Sequence, residues 1–322
     1  MNKRKLGRTD LQVSELGFGC WAIGGTSYGS TDDRESLKAL AYAFDRGINF
    51  FDTADCYGNG HSEQLIGKTF EESSRRLQVI IATKVGLDFY HGGTKRNVNP
   101  DYIRFACGKS LERLKTDCID LYQLHNPKWE TKEQEEQAFK TLAELKKEGK
   151  IRHWGVSIHL AREGVEVIQE GSSDTIQAIY NLVDQRIKYE LMPLCEEHNI
   201  GLIAREPLYC GLLTDKHNAK SRFPKNDHRN GWQRDKLEVD FKKINHIKAM
   251  IDTRKISLKQ AAIEFVLHEK AVSVVIPGMK TVQHVTDHLQ AVNEPQLTAE
   301  EMNRIHQLYQ EDELFQAGFY RN

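Results

Sequence analysis

The strongest constraint on this chain's fold is an alternation. Short apolar runs recur from residue 16 to residue 290, separated by longer stretches with apolar residues at helical spacing. Strands are expected at about residues 16–20, 48–52, 79–84, 119–125, 153–157, 175–180, 201–205 and 272–277. Between them lie amphipathic helices. Residues 33–46 set Leu37, Leu40, Ala41 and Phe44 on one face. Asn99-Pro100 supplies a capping residue and a first-turn Pro, opening a helix whose apolar face is Ile103, Ala106, Cys107, Ser110, Leu111 and Leu114. A helix over 131–148 stops at Gly149. Ser257 with Gln260 and Thr298 with Glu301 have capping-box spacing.

Eight strands alternating with helices imply parallel pairing through crossover helices, which closes most simply into a single α/β (β/α)₈ TIM barrel. A doubly wound sheet competes, but the glycines of Leu16-Gly17-Phe18-Gly19-Cys20-Trp21 lack the G-x-G-x-x-G spacing and a helix directly after it. Three segments fall outside the repeat. Residues 1–15 read as a polar hairpin plugging the barrel bottom. Residues 214–240 read as a long polar loop after strand seven, placed to act as a lid. Residues 298–322 read as a capping helix and an irregular tail, in which 312–322, with Phe315, Phe319 and Tyr320, would shape the pocket. With no linker or repeat, 1–322 is expected to form one domain.

Composition narrows the function. The 322 residues carry 39% hydrophobic and 28% charged side chains and a formal net charge of -1. That balance attracts neither nucleic acid nor an anionic membrane. No apolar h-region opens the chain and no run is long enough to span a bilayer, so a cytoplasmic protein is expected. Six cysteines without C-x-x-C pairs read as reduced thiols; Cys20, Cys56 and Cys210 fall near the site proposed below. Thirteen scattered histidines show no metal-ligand spacing.

The chemistry concentrates in FDTADCYGNGHSEQLIGK. Asp52 ends the second strand and Tyr57 lies in the loop after it. Lys84 ends the third strand and His125 the fourth. In a parallel barrel these ends surround one mouth. Each residue alone has an ordinary explanation: a loop cap, a packed ring, a surface charge, a satisfied imidazole. Together at adjacent strand ends they point to proton transfer on a carbonyl. A tyrosine of pKa about 10 is a poor acid–base group at neutral pH. A Lys84 ammonium, held by Asp52, is expected to lower it. His125 would orient the substrate oxygen. No side chain supplies a hydride, so a cofactor is needed.

These residues resemble the aldo-keto reductase family. FDTADCYGNGHSE is similar to its first signature, ATKVG to its lysine motif and DLYQLHNP to its histidine motif, with GKIRHWGVS, YNLVDQR and IPGMK as further matches. The resemblance runs from KLGRTDLQVSELGFGCW to about residue 311. It implies a catalytic tetrad of Asp52, Tyr57, Lys84 and His125, and NADPH as coenzyme, with NADH less favoured. Reduction of an aldehyde or ketone to an alcohol, reversibly, is the implied activity. Gly278 and Lys280 match the adenosine 2′-phosphate site, which as a helix N-terminus also suits an anion. Ser157 and Gln177 match the nicotinamide carboxamide site, and Pro207, Leu208 and Gly211 the pyrophosphate loop. Trp21 would wall the nicotinamide or the substrate.

The chain departs from the family pattern in four places. Ser157-Ile158 stands for Ser-Asn. Arg205-Glu206 stands for Tyr-Ser, so that Arg205 would stack on the nicotinamide with its guanidinium. His284 and His288 stand near the adenosine for Gln and Asn, and would bring some pH sensitivity. Asn126, after the histidine, is a substrate-contact candidate favouring hydroxylated carbonyls. Two other classes compete: a coenzyme-binding sensor with little turnover, like the potassium-channel β subunits, and a carboxylate or metal hydrolase, for which Asp52 is the single clear strand-end acid.

Overall fold

The computed structural model describes residues 1–294 and 296–316. Eight strands form one parallel sheet in chain order: β1 (Phe18–Gly19), β2 (Phe50–Asp52), β3 (Ile80–Val85), β4 (Ile119–His125), β5 (Ile151–Ser157), β6 (Thr175–Ile179), β7 (Gly201–Arg205) and β8 (Val272–Ile276). The sheet closes on itself. Leu16 bridges Val275 and Gly19 bridges Gly278, both parallel. Gly17 N donates to Val275 O at 2.8 Å, and Met279 N to Gly19 O at 3.2 Å. The fold is therefore a (β/α)₈ barrel. The first strand is shorter than expected because ladder pairing with β2 is confined to Phe18 and Gly19, while its flanks serve the closure.

Crossover helices surround the sheet: α1 (Asp33–Asp45), α2 (His61–Thr69), α3 (Pro100–Leu114), α4 (Lys132–Lys147), α5 (Ala161–Glu170), α6 (Leu191–Glu197), α7 (Arg234–Ala249), α8 (Leu258–Leu267) and α9 (Val282–Asn293), with α10 (Ala299–Glu311) following. The α3 face is the expected one, with Tyr102 added and Leu111 half-buried. On α1 the buried face is Ser36, Ala39, Leu40 and Ala43, rotated from the expected stripe so that Leu37, Ala41 and Phe44 are only half-buried. Thr298 and Glu301 make a full capping box. Ser257 makes half of one: it caps Gln260 N, but the Gln260 amide turns to Glu264 and Glu294.

The barrel bottom is closed by antiparallel strands Lys3–Lys5 and Gln12–Ser14. Leu6, Leu11 and Val13 pack there into a buried cluster with Phe50, Leu121, Ile203 and Val274 from inside the barrel. Residues 214–240 are not loop throughout. Arg234 onward is helical, because Leu237, Phe241, Ile244 and Ile247 give one buried face. A short hairpin of Leu87–Asp88 with Lys95–Arg96, not anticipated from sequence, rises after β3. Phe315 is buried in the C-terminal segment; Phe319 and Tyr320 lie outside the described residues. No helix among the described residues is long and apolar enough to cross a membrane.

Candidate active site

A cavity of about 660 Å³ opens at the C-terminal mouth of the barrel. One pole holds Tyr57, His125 and Asp52; the other holds Gly278, Lys280, His284 and His288. Trp21, Asn126, Gln177, Arg205, Pro207, Leu208 and Gly211 line it between. Cys20, Cys56 and Cys210 are also on its wall. Two of the expected residues are not on the wall. Lys84 sits fully buried behind Asp52, and Ser157 is buried with its hydroxyl unpartnered among the described residues.

The pole is built by the β2–α2 connection. Lys84 Nζ donates to Asp52 Oδ1 at 2.5 Å and to Thr53 O at 2.7 Å. Asp52 Oδ2 accepts from the Gln177 amide at 2.8 Å and the Gln123 amide at 3.3 Å. A buried ion pair is tolerable only when its remaining valences are filled, as they are here. Gln177 is thereby tied to Asp52 while still facing the cavity. Tyr57 stacks on Trp21 with ring centroids 5.9 Å apart and meets the His125 ring edge-on at 5.9 Å. The Lys84 ammonium lies 5.3 Å from the Tyr57 ring centre.

The rest of the signature segment is scaffolding. Ser62 Oγ donates to Cys20 O at 3.0 Å and accepts from Thr53 Oγ1 at 2.8 Å. Glu63 accepts from Thr83 Oγ1 at 2.6 Å and from Arg113 Nε at 2.7 Å. Gly58, at φ 62, lets this loop touch Gly24; a Cβ there would sit 2.1 Å from the Gly24 carbonyl oxygen.

The electrostatics correct one expectation. Burial, with Asp52 and Cys56 adding to it, pushes the Tyr57 phenol well above its ordinary value, and Arg205 only partly opposes this. Lys84 does not bring it down, because Asp52 in direct contact offsets the ammonium. Tyr57 is thus a neutral O–H donor. His125 is driven well below its ordinary value by burial and by the cations Lys84, Arg205 and Arg96, so its ring is neutral. A phenol and a neutral imidazole on one wall can hydrogen-bond, and protonate, a developing oxyanion.

At the far pole, burial and neighbouring cations hold His284 down, and His288 down to about 3. Both are neutral near pH 7, so the anticipated pH sensitivity moves to lower pH. Positive charge comes instead from Lys280, Lys216, Lys259 and Arg229, all on the wall. Lys280 Nζ donates to Tyr28 O at 3.1 Å, and Lys259 pairs with Asp287.

The connection after β7 arches over this region. Glu206, Tyr209 and Cys210 all have positive φ within five residues, ahead of Gly211 at 87°. Such backbone persists only when tied down. Asn181 Nδ2 donates to Glu206 O at 3.0 Å, Tyr209 Oη to Asp240 Oδ1 at 2.7 Å, and Arg229 Nη1 to Cys210 O at 3.0 Å. Arg229 itself is clasped by Asp227 and lies over the Phe223 ring at 4.2 Å and the Tyr28 ring at 5.1 Å. His228 N donates to Ser27 O at 2.9 Å, so the arch is docked on the β1–α1 loop. Lys216 and Arg229 escaped the sequence reading: their loop has no periodicity, and their position depends on these contacts.

Arg205 does not stand free over the mouth. Its Nη1 donates to Glu206 Oε1 at 2.6 Å and its Nη2 to Ile158 O at 3.0 Å, leaving Nε buried and without a partner among the described residues. Asn126 has φ 50 and its N donates to Ser157 O at 2.9 Å. Asn tolerates that left-handed backbone better than most residues, which explains its presence without any substrate.

The parallel barrel thus carries a tyrosine, a buried lysine–aspartate pair and a histidine at its mouth. The Aldo/keto reductase family profile matches residues 15–310. An uncharacterized oxidoreductase, YqkF of Bacillus subtilis (strain 168), is 34% identical over 98% of this chain and 99% of its own. The holo form of the aldo-keto reductase AKR11C1 from Bacillus halodurans superposes with a TM-score of 0.79, at 32% identity, over 96% of each chain. Other relatives bear different names. An NADH-specific methylglyoxal reductase of Escherichia coli (strain K12) is 37% identical over 66% of this chain and 69% of its own. A probable voltage-gated potassium channel subunit beta of Arabidopsis thaliana is 29% identical over 96% and 97%. The chain belongs to the aldo-keto reductase family.

Proposed function

We propose that the protein reduces a small aldehyde or ketone to the alcohol, reversibly, with NADPH as the preferred coenzyme. The observation that carries this is the Tyr57–His125 wall backed by the Lys84–Asp52 pair in an open cavity. The cavity fits a dinucleotide in three ways: its volume suits one, its far pole is cationic, and buried polar atoms of Arg205 and His288 on its wall have no partner among the described residues.

When bound, the reduced nicotinamide supplies the hydride for the carbonyl carbon. Tyr57 Oη donates its proton to the carbonyl oxygen. His125 hydrogen-bonds that oxygen and orients it. The phenolate left on Tyr57 faces the Lys84 ammonium, 5.3 Å from the ring centre, whose charge Asp52 in contact largely offsets. Trp21 walls the site against the Tyr57 ring. Gln177 and Arg205 would hold the nicotinamide, and Pro207, Leu208 and Gly211 the pyrophosphate. Lys280, with Lys216 beside it, would take the 2′-phosphate, and neutral His284 and His288 would hydrogen-bond the adenosine. Ser157 is less well placed, being off the wall.

The test is oxidation of NADPH and NADH by the pure protein against a panel of aldehydes, ketoses and ketones. Turnover with NADPH is expected, and Tyr57→Phe should lower it at least a hundredfold while coenzyme affinity stays near normal. Retained turnover in that variant removes Tyr57 as the acid. Lys280→Met should weaken NADPH at least tenfold and leave NADH within about twofold; equal losses remove the phosphate assignment. The potassium-channel relative keeps a second reading in play, a coenzyme sensor. Tight coenzyme binding with no turnover across the panel would favour it.

A further inference from the structure

Cys56 lies between Asp55 and Tyr57 and lines the cavity, with its Sγ 3.7 Å from His125 Nδ1. We propose that Cys56 is a positioning residue: its S–H donates to His125 Nδ1 and fixes the ring in the tautomer that carries its proton on Nε2. This deepens the carbonyl-reductase reading, because an Nε2–H is what a carbonyl oxygen in the cavity needs from His125.

The polarity follows from what each atom can do. His125 is neutral, surrounded by Lys84, Arg205, His159 and Arg96, so one ring nitrogen bears hydrogen and the other is a good acceptor. Burial keeps the thiol of Cys56 protonated. A thiol is a weak donor and a weaker acceptor, whereas a bare imidazole nitrogen is a strong acceptor. The contact is therefore S–H to Nδ1, not N–H to sulfur. The proton then resides on Nε2, the other ring nitrogen of a histidine on the cavity wall. The contact also holds the ring plane, which already meets Tyr57 edge-on. Cys56 is set for this by the loop's own bonds: Asp55 N donates to Lys84 O at 3.2 Å and Tyr57 N to Ala54 O at 3.1 Å, on either side of it.

The tautomer is read directly by nitrogen-15 NMR of histidine-labelled protein without coenzyme or substrate, with His125 assigned by the loss of its signals in His125→Gln. The expected spectrum shows the Nε2–H form. Cys56→Val, close in shape but without a donor, should give a mixture of tautomers and a loss of roughly fivefold to tenfold in kcat/KM, with coenzyme affinity unchanged. Cys56→Ser restores a donor and should restore both the Nε2–H form and most of the rate. An Nδ1–H form in the unsubstituted protein overturns the proposal. So does a Val variant that keeps the Nε2–H form and full activity, which would leave Cys56 as filler. Because the tautomer is measured in the unliganded protein, it stands or falls separately from whether the protein is a reductase.

Discussion

Two positions before Tyr57, the Asp55 carboxyl is wholly buried, and neither of its oxygens has a hydrogen-bond partner in the described structure. Burial drives its pKa well up, Glu63 adds to the effect, and Arg113 opposes it. The folded protein therefore holds a proton that the unfolded chain, with an ordinary value near 4, releases. Stability from that proton is complete below about pH 4 and is lost as pH rises toward the folded value. Asp55→Asn, which cannot ionise, is expected to raise Tm at pH 7 by roughly 2 °C or more, and to raise it less at pH 4. Calorimetry at the two pH values decides it; a less stable variant at pH 7 would mean that the site uses an ionised carboxylate. That Asp52, Tyr57, Lys84 and His125 gather at one mouth was legible in the sequence because each ends an apolar run or lies just after one. The charge states could not. Whether Lys84 or burial controls Tyr57 depends on how close Asp52 sits to Lys84, and on how little water reaches the ring, and neither is written in residue order.

The β2–α2 element shows how a local motif becomes a scaffold. Asn59 at φ 54 and Gly60 at φ 94 turn the chain into α2, and Ser62 and Glu63 fasten that helix's first turn to Cys20, Thr53, Thr83 and Arg113. Gly58 is the tightest point, against Gly24. Gly58→Ala must displace the Trp21–Gly25 turn or Tyr57 itself. We expect a loss of about 1–3 kcal/mol in stability together with a fall in kcat, seen by denaturant titration and steady-state assay. Unchanged kinetics would mean the turn can yield without moving Tyr57. The arch after β7 is the opposite case. Its anchoring residues, Arg229 and Asp227, look like ordinary loop charges in the sequence, and only their contacts with Cys210, Tyr28 and Phe223 show that they form part of the wall. Beyond residue 233 the helical spacing of Leu237, Phe241 and Ile244 was there to be read, but it was hidden by a run of charged residues.

At the scale of the whole barrel, the two ends do different work. The mouth collects buried charges, positive φ values and unpartnered polar atoms, each of which costs stability. The bottom collects apolar side chains: Leu6, Leu11 and Val13 seal the interior layer of Phe50, Leu121, Ile203 and Val274. Strands supply both ends at once, so a defect at one need not reach the other. Leu6 is fully buried and packs against Gly201, where an added Cβ would sit 2.8 Å from Leu6 Cδ1. Leu6→Ala is therefore expected to cost about 2–5 kcal/mol of stability while leaving kcat/KM within about twofold well below the melting temperature. Tyr57→Phe is expected to do the reverse, removing turnover with Tm nearly unchanged. Measured side by side, by thermal melting and steady-state kinetics, the pair tests whether stability and chemistry are separated along the barrel axis. A drop in activity from Leu6→Ala at temperatures where the variant is fully folded would show that packing at the bottom sets the geometry at the mouth, with the strands as rigid levers between them.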